Sequence, residues 1–89
     1  MVSKKVVISN PTGLHLRPAG NLCREAMKFM CKVNFTYNDG KATANTKSVL
    51  SVLGACIKSG DEITLVCDGE DEEAALAHVV DFIENHLGE

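Results

Sequence analysis

The sequence predicts an α+β fold of order β-α-β-β-α-β-α, with its helices packed on one face of a small sheet. Three observations predict it. Short runs rich in β-branched residues alternate apolar and polar side chains, as half-buried strands do. Between them lie segments whose apolar residues recur at helical spacing, one stripe to a segment. Breaks built from Asn, Pro, Gly and Asp separate the two kinds of segment. Strands with one apolar face and helices with one apolar stripe bury both by stacking in layers.

Lys5 to Ser9 reads as the first strand, carrying Val6, Val7 and Ile8, and Asn10-Pro11-Thr12-Gly13 breaks it. From Leu16 to Met30 the residues Ala19, Leu22, Cys23, Ala26 and Met30 share a helical face, with Arg17, Arg24, Glu25 and Lys28 largely opposite. Gly20 weakens this helix by up to ~1 kcal/mol relative to alanine. Val33 to Tyr37 alternates cleanly, Asn38-Asp39-Gly40 is a hairpin turn, and Lys41 to Asn45 returns with Ala42 and Ala44 on one face. A short helix runs from Ser48 to Ile57, closed by Ser59-Gly60-Asp61. Glu62 to Cys67 sets Ile63, Leu65 and Cys67 against Glu62, Thr64 and Val66, giving the last strand. Gly69-Glu70-Asp71-Glu72-Glu73 opens the final helix with acids at its positive end. Leu76, Val79, Val80, Ile83 and Leu87 form its buried stripe, and Gly88 is its stop.

A chain of 89 residues is expected to form one domain, 1–89. A net charge of −3 with no basic run argues against nucleic acid as a partner. No apolar stretch approaches the ~20 residues of a membrane span. Met1-Val2-Ser3-Lys4-Lys5 is not followed by the apolar stretch of a secretory signal, so a cytoplasmic location is expected. Cys23, Cys31, Cys56 and Cys67 form no C-x-x-C pair and have no zinc-ligand spacing to His78 or His86. All four are expected as buried, reduced thiols, and both of those histidines as solvated without partners. No metal or other cofactor is expected.

His15 carries the most information. It stands in Gly13-Leu14-His15-Leu16-Arg17-Pro18-Ala19, between a strand and a helix. Glycine permits the tight turn, and proline is tolerated in a first helical turn. The helix start aims free N–H groups and a positive dipole end at whatever the imidazole carries, which suits an anion and above all a phosphoryl group. The same field favours a neutral, nucleophilic ring over imidazolium. The N–H groups of Leu16 and Arg17, with the Arg17 guanidinium, are placed to receive the added charge. A group held at an exposed helix end can leave again, so a shallow surface is expected rather than a cleft.

The middle helix suggests a second site. Val49, Val52 and Cys56 make one apolar stripe and Leu50, Leu53 and Ile57 another, too many for one buried face. Leu50 and Leu53 are therefore expected to be at least partly exposed, as a docking patch flanked by Lys47 and by Gly20 of the first helix. Ser48 is the expected N-cap. Phosphorylation there would add about −1.5 to −2 charges beside the patch and raise the cost of apolar docking.

Taken together, Gly13-Leu14-His15, Arg17-Pro18-Ala19, Lys47-Ser48-Val49-Leu50, Gly60-Asp61-Glu62-Ile63 and the acidic start of the last helix resemble the HPr family, the histidine-containing phosphocarriers of the bacterial phosphoenolpyruvate-dependent sugar phosphotransferase system. The likeness spans essentially the whole chain. It implies an open-faced β-sandwich, with four antiparallel strands in order 1-4-2-3 and three helices on one face. It also implies that His15 accepts a phosphoryl group at Nδ1 from phosphorylated enzyme I and passes it to IIA domains. Ser48 matches a regulatory serine, which implies a serine kinase or phosphorylase and a catabolite repressor as further partners. Such a protein is a carrier restored each cycle, not a free-standing enzyme, and a monomer is expected.

The chain departs from the family pattern at three places. Leu16 stands where a small or hydroxylated residue is usual, Gly20 replaces a more usual helix-forming or hydroxylated residue, and Gly54-Ala55-Cys56 differs from the common small-apolar pattern. Leu16 keeps a second reading open: an HPr-like regulator that docks on transcriptional or metabolic proteins. A third, a cysteine-based redox or metal protein, is separated from both by thiol titration and a metal assay.

Overall fold

The structure, a computed structural model, describes residues 1–87; the expected stop at Gly88 lies outside the described residues. Its elements follow the order β1 (Val2–Val7), α1 (Leu16–Ala26), β2 (Lys32–Tyr37), β3 (Ala42–Asn45), α2 (Val49–Gly54), β4 (Glu62–Asp68) and α3 (Glu72–Asn85). The strands form one antiparallel sheet in the order β1-β4-β2-β3. Alternation along each strand sends Val6, Val33, Phe35, Ala44, Ile63, Leu65 and Cys67 to the helical side, where they are buried. Ala19, Leu22 and Ala26 of α1, Val52 of α2, and Ala75, Val79, Val80 and Ile83 of α3 meet them. Fully burying one large apolar side chain contributes roughly 1.5–3 kcal/mol, so this seam dominates stability. The opposite face carries Ser3, Lys5, Asn34, Thr36, Thr43, Thr64 and Val66, all exposed or half-buried. This is the open-faced, four-stranded α+β architecture expected.

Several boundaries differ from expectation. β1 begins at Val2 rather than Lys5, because Val2 to Val7 pairs residue for residue with Cys67 to Glu62 and carries polar Ser3-Lys4-Lys5 into the ladder. Ile8 and Ser9 lie past the strand, yet Ile8 still donates to the Asp61 carbonyl at 2.9 Å. α1 stops at Ala26, and Met30 is 94% exposed rather than buried. The cause is Asp71, whose carboxylate accepts the N–H groups of Met30 at 2.8 Å and Cys31 at 2.9 Å, so the chain leaves the helix there.

α2 stops at Gly54 rather than Ile57. Ala55 and Cys56 make tight bonds to Val52 at 3.2 Å and Leu53 at 3.1 Å, and Cys56 then turns left-handed at φ 55°. That turn leaves Cys56 exposed and Cys23 is only half-buried, so just Cys31 and Cys67 match the expected buried thiols. In α3, Ala75 takes the fully buried place and Leu76 is half-buried. His78 and His86 have partners. His78 Nε2 lies 2.7 Å from Glu25 and its ring packs on Phe29, while His86 Nε2 lies 3.8 Å from Asp81 and packs on Phe82.

Candidate functional site

The segment between β1 and α1 is built to present one side chain. The Asn10 carbonyl accepts the Gly13 N–H at 3.1 Å, closing a turn. Gly13 has φ 63°, and a Cβ there would lie 2.5 Å from the Ile57 carbonyl oxygen and 2.8 Å from the Lys58 Cα. Only glycine fits that conformation in that space. Leu14 is buried, and its N–H donates to the Ile57 carbonyl at 3.0 Å, anchoring the chain immediately before His15.

His15 is the N-cap of α1, with φ −73° and ψ −177°. Its side chain makes no capping bond, so the imidazole is not spent on its own helix. The first amide to bond back is that of Ala19, to the His15 carbonyl at 2.8 Å. Pro18 has no N–H. The helix start therefore keeps the amides of Leu16 and Arg17 as its open donors. His15, Leu16 and Arg17 are all exposed, Leu16 at 70%. Asn10, Pro11, Thr12, His15, Arg17, Pro18 and Leu87 line a shallow depression of about 380 Å³. His15 and Arg17 thus share a solvent-open depression beside a helix start, a place where free backbone N–H groups favour an anion.

The second group of expected residues is only partly assembled. Ser48 caps α2 as expected: its Oγ accepts the Ser51 N–H at 3.2 Å, and its carbonyl accepts the Val52 N–H at 3.0 Å. Leu50 is 83% exposed, whereas Leu53 is half-buried against the core and Ile57, on the same sequence stripe, is buried. Gly20 faces open space: nothing outside its own helix backbone and chain neighbours lies within 4 Å of where a Cβ would stand. Lys47 is not a free surface cation: its ammonium donates to the Phe29 carbonyl at 2.6 Å, and its own carbonyl accepts from Cys23 Sγ at 3.0 Å. Sequence reasoning missed Asn10 and Thr12, which stand in the depression beside His15. Their one signal, an amide three residues ahead of a glycine, looks the same as an ordinary strand breaker.

Fold and geometry together define a small α+β protein with an exposed histidine at the N-cap of a helix, its side chain making no capping bond. The family model for the PTS HPr component phosphorylation site matches residues 2–85. HPr-like protein Crh of Halalkalibacterium halodurans is 39% identical over 84 residues, covering 94% of this chain and 98% of its own. Phosphocarrier protein HPr of Mycoplasma pneumoniae is 35% identical over 82 residues, covering 92% of each. A crystal structure of HPr-C-His from Thermoanaerobacter tengcongensis superposes with a TM-score of 0.92 at 32% identity, covering 100% of this chain and 98% of that one. The chain belongs to the HPr family of phosphocarrier proteins.

Proposed function

We propose that this protein relays a phosphoryl group through His15 from phosphorylated enzyme I to IIA domains of sugar permeases. A ring nitrogen of His15, Nδ1 by family likeness, uses its lone pair to form the new P–N bond. The bond from phosphorus to the donor breaks, and its electron pair stays on the donor. The Leu16 and Arg17 amides and the Arg17 guanidinium take up the charge of the transferred group. The second transfer is the same exchange in reverse, with His15 as the leaving group. An open site suits this, because the phosphorylated form is not held so tightly that it cannot react again. The protein is thus a covalent carrier in the cytoplasm, not a free-standing enzyme, and works as a monomer without a cofactor.

The observation that carries this reading is the His15 ring, exposed and uncommitted at the start of α1 beside the open amides of Leu16 and Arg17. Incubation with enzyme I and phosphoenolpyruvate is expected to yield one phosphohistidine, at His15. Arg17→Ala is expected to keep the fold and slow transfer about 100- to 1000-fold, the range for loss of one oxyanion-stabilising donor. Unchanged kinetics would remove Arg17 from the mechanism.

Regulation is assigned to Ser48. A serine kinase would add charge at the edge of the Leu50 surface, and a catabolite repressor would read the phosphorylated form. With only six residues in α2, the dipole contribution is small, and the effect falls mainly on docking at Leu50. A second reading is an HPr-like regulator that docks on transcriptional or metabolic proteins. The 39% identical relative named HPr-like protein Crh supports it, as does the exposed Leu16. Absence of phosphohistidine after exposure to enzyme I and phosphoenolpyruvate would favour it over the relay.

A further inference from the structure

We infer that Asn10 is a positioning residue for transfer at His15, acting through the Gly13 carbonyl and the Thr12 hydroxyl. The inference rests on the relay role proposed for His15. Asn10 is only 7% exposed, yet it lines the depression that holds His15 and Arg17. Its Nδ2 donates to the Gly13 carbonyl at 2.7 Å and to Thr12 Oγ1 at 3.3 Å. Its main-chain carbonyl accepts the Gly13 N–H at 3.1 Å. Asn10 and Gly13 are therefore bonded in both directions, which fixes the peptide plane two residues ahead of the histidine.

The third feature is a deficit. Asn10 Oδ1 is buried without a hydrogen-bond partner among the described residues. Rotating the amide does not relieve this, because the Gly13 carbonyl can only accept and so must face the nitrogen. A buried acceptor left unpaired detracts from stability and offsets part of what the buried bond to the Gly13 carbonyl adds. The amide therefore matters chiefly for the conformation it fixes ahead of His15. Thr12 extends the effect. With Oγ1 accepting from Asn10, its hydroxyl hydrogen is directed elsewhere, on the wall of the depression shared with His15 and Arg17. Loss of the Asn10 amide would free both the Gly13 plane and the Thr12 rotor, and the ring would sample orientations away from the Leu16 and Arg17 amides.

The test is steady-state phosphorylation by enzyme I and phosphoenolpyruvate, well below the melting temperature of each variant. Asn10→Ala and the isosteric Asn10→Asp, which lacks the N–H donors, are expected to lower kcat about tenfold or more, as small misplacements of reacting groups do. KM for this protein as substrate is expected to stay near the wild-type value, because Asn10, 7% exposed, offers almost no surface to a partner. Asn10→Ser, which keeps one donor, is expected to lie between. Wild-type kcat in folded Ala and Asp variants would overturn the inference, as would a loss confined to KM. If those variants do not fold, the through-hydrogen-bond NMR coupling from Asn10 Nδ2 to the Gly13 carbonyl carbon decides in the wild type. It is expected before and after phosphorylation, and its absence from both would overturn the inference. A wild type that takes no phosphoryl group would instead remove the relay role itself.

Discussion

The Lys47 ammonium donates to the Phe29 carbonyl at 2.6 Å, tying the residue ahead of Ser48 to the turn that follows α1. Cys23 Sγ reaches the Lys47 carbonyl at 3.0 Å from the other side. The two expected functional regions, at the start of α1 and at Ser48, are thus joined through the far end of α1. Removing the cation leaves a partly buried carbonyl without its donor. Lys47→Ala is expected to destabilise the protein by about 1–3 kcal/mol, the range for leaving a buried hydrogen-bonding group unsatisfied. Urea denaturation measures this, and an unchanged midpoint would make Lys47 a free docking residue again.

Acid sensitivity follows from Asp71. The Met30 N–H, with help from Cys31, holds the Asp71 carboxyl below its ordinary range. Because the folded group is the more acidic, its contribution is complete above the unfolded value, near pH ~4, and is lost as pH falls through the lower folded value. Glu25, held down by the His78 hydrogen bond and by Lys28, and Glu72, held down by the N-terminal amine and the Gly69 N–H, act in the same direction. Urea midpoints are expected to drop below about pH 4, and Asp71→Asn is expected to be less stable at neutral pH with a shallower drop. Parallel curves for the two proteins would contradict the assignment.

Gly20 lies inside α1 with open space around it. Gly20→Ala is therefore expected to stabilise the fold by roughly 0.5–1 kcal/mol through helix propensity alone. Thermal melting checks it, and a lower Tm would show a constraint at this position that the geometry does not contain.

The four thiols are expected to separate in a titration of the native protein. Cys56 is exposed and should react first. Half-buried Cys23, whose Sγ donates to the Lys47 carbonyl, should follow. Burial raises both Cys31 and Cys67, the latter to about 11, so both should wait for unfolding. Four equally slow thiols would contradict this order. The same left-handed turn makes Cys56→Gly a stabilising change of about 1 kcal/mol, since glycine meets no Cβ penalty there.

The sheet order is legible only through the family resemblance, whereas the places of His15 and Ser48 at helix starts are legible locally, because Gly13, Pro18 and Ser48 each have a backbone reason to stand where they do. The ends of α1 and α2 are not, because distant or strained groups set them. Asp71 draws the Met30 amide out of α1 from about 40 positions away, as its hydrogen-bond separation of 41 shows, and periodicity contains no trace of that contact. The left-handed turn at Cys56 occurs without the glycine that would have announced it. In sequence Lys47 reads as a docking residue and His78 as solvated, because their partners, the Phe29 carbonyl and Glu25, come from elsewhere in the chain.

The most direct test of the central claim is nitrogen-15 NMR of all three imidazoles after exposure to enzyme I and phosphoenolpyruvate. The account predicts a phosphorus-coupled nitrogen in the His15 ring alone, with His78 and His86 unmodified. A phosphoryl group on either of those rings, or on none of the three, would contradict it.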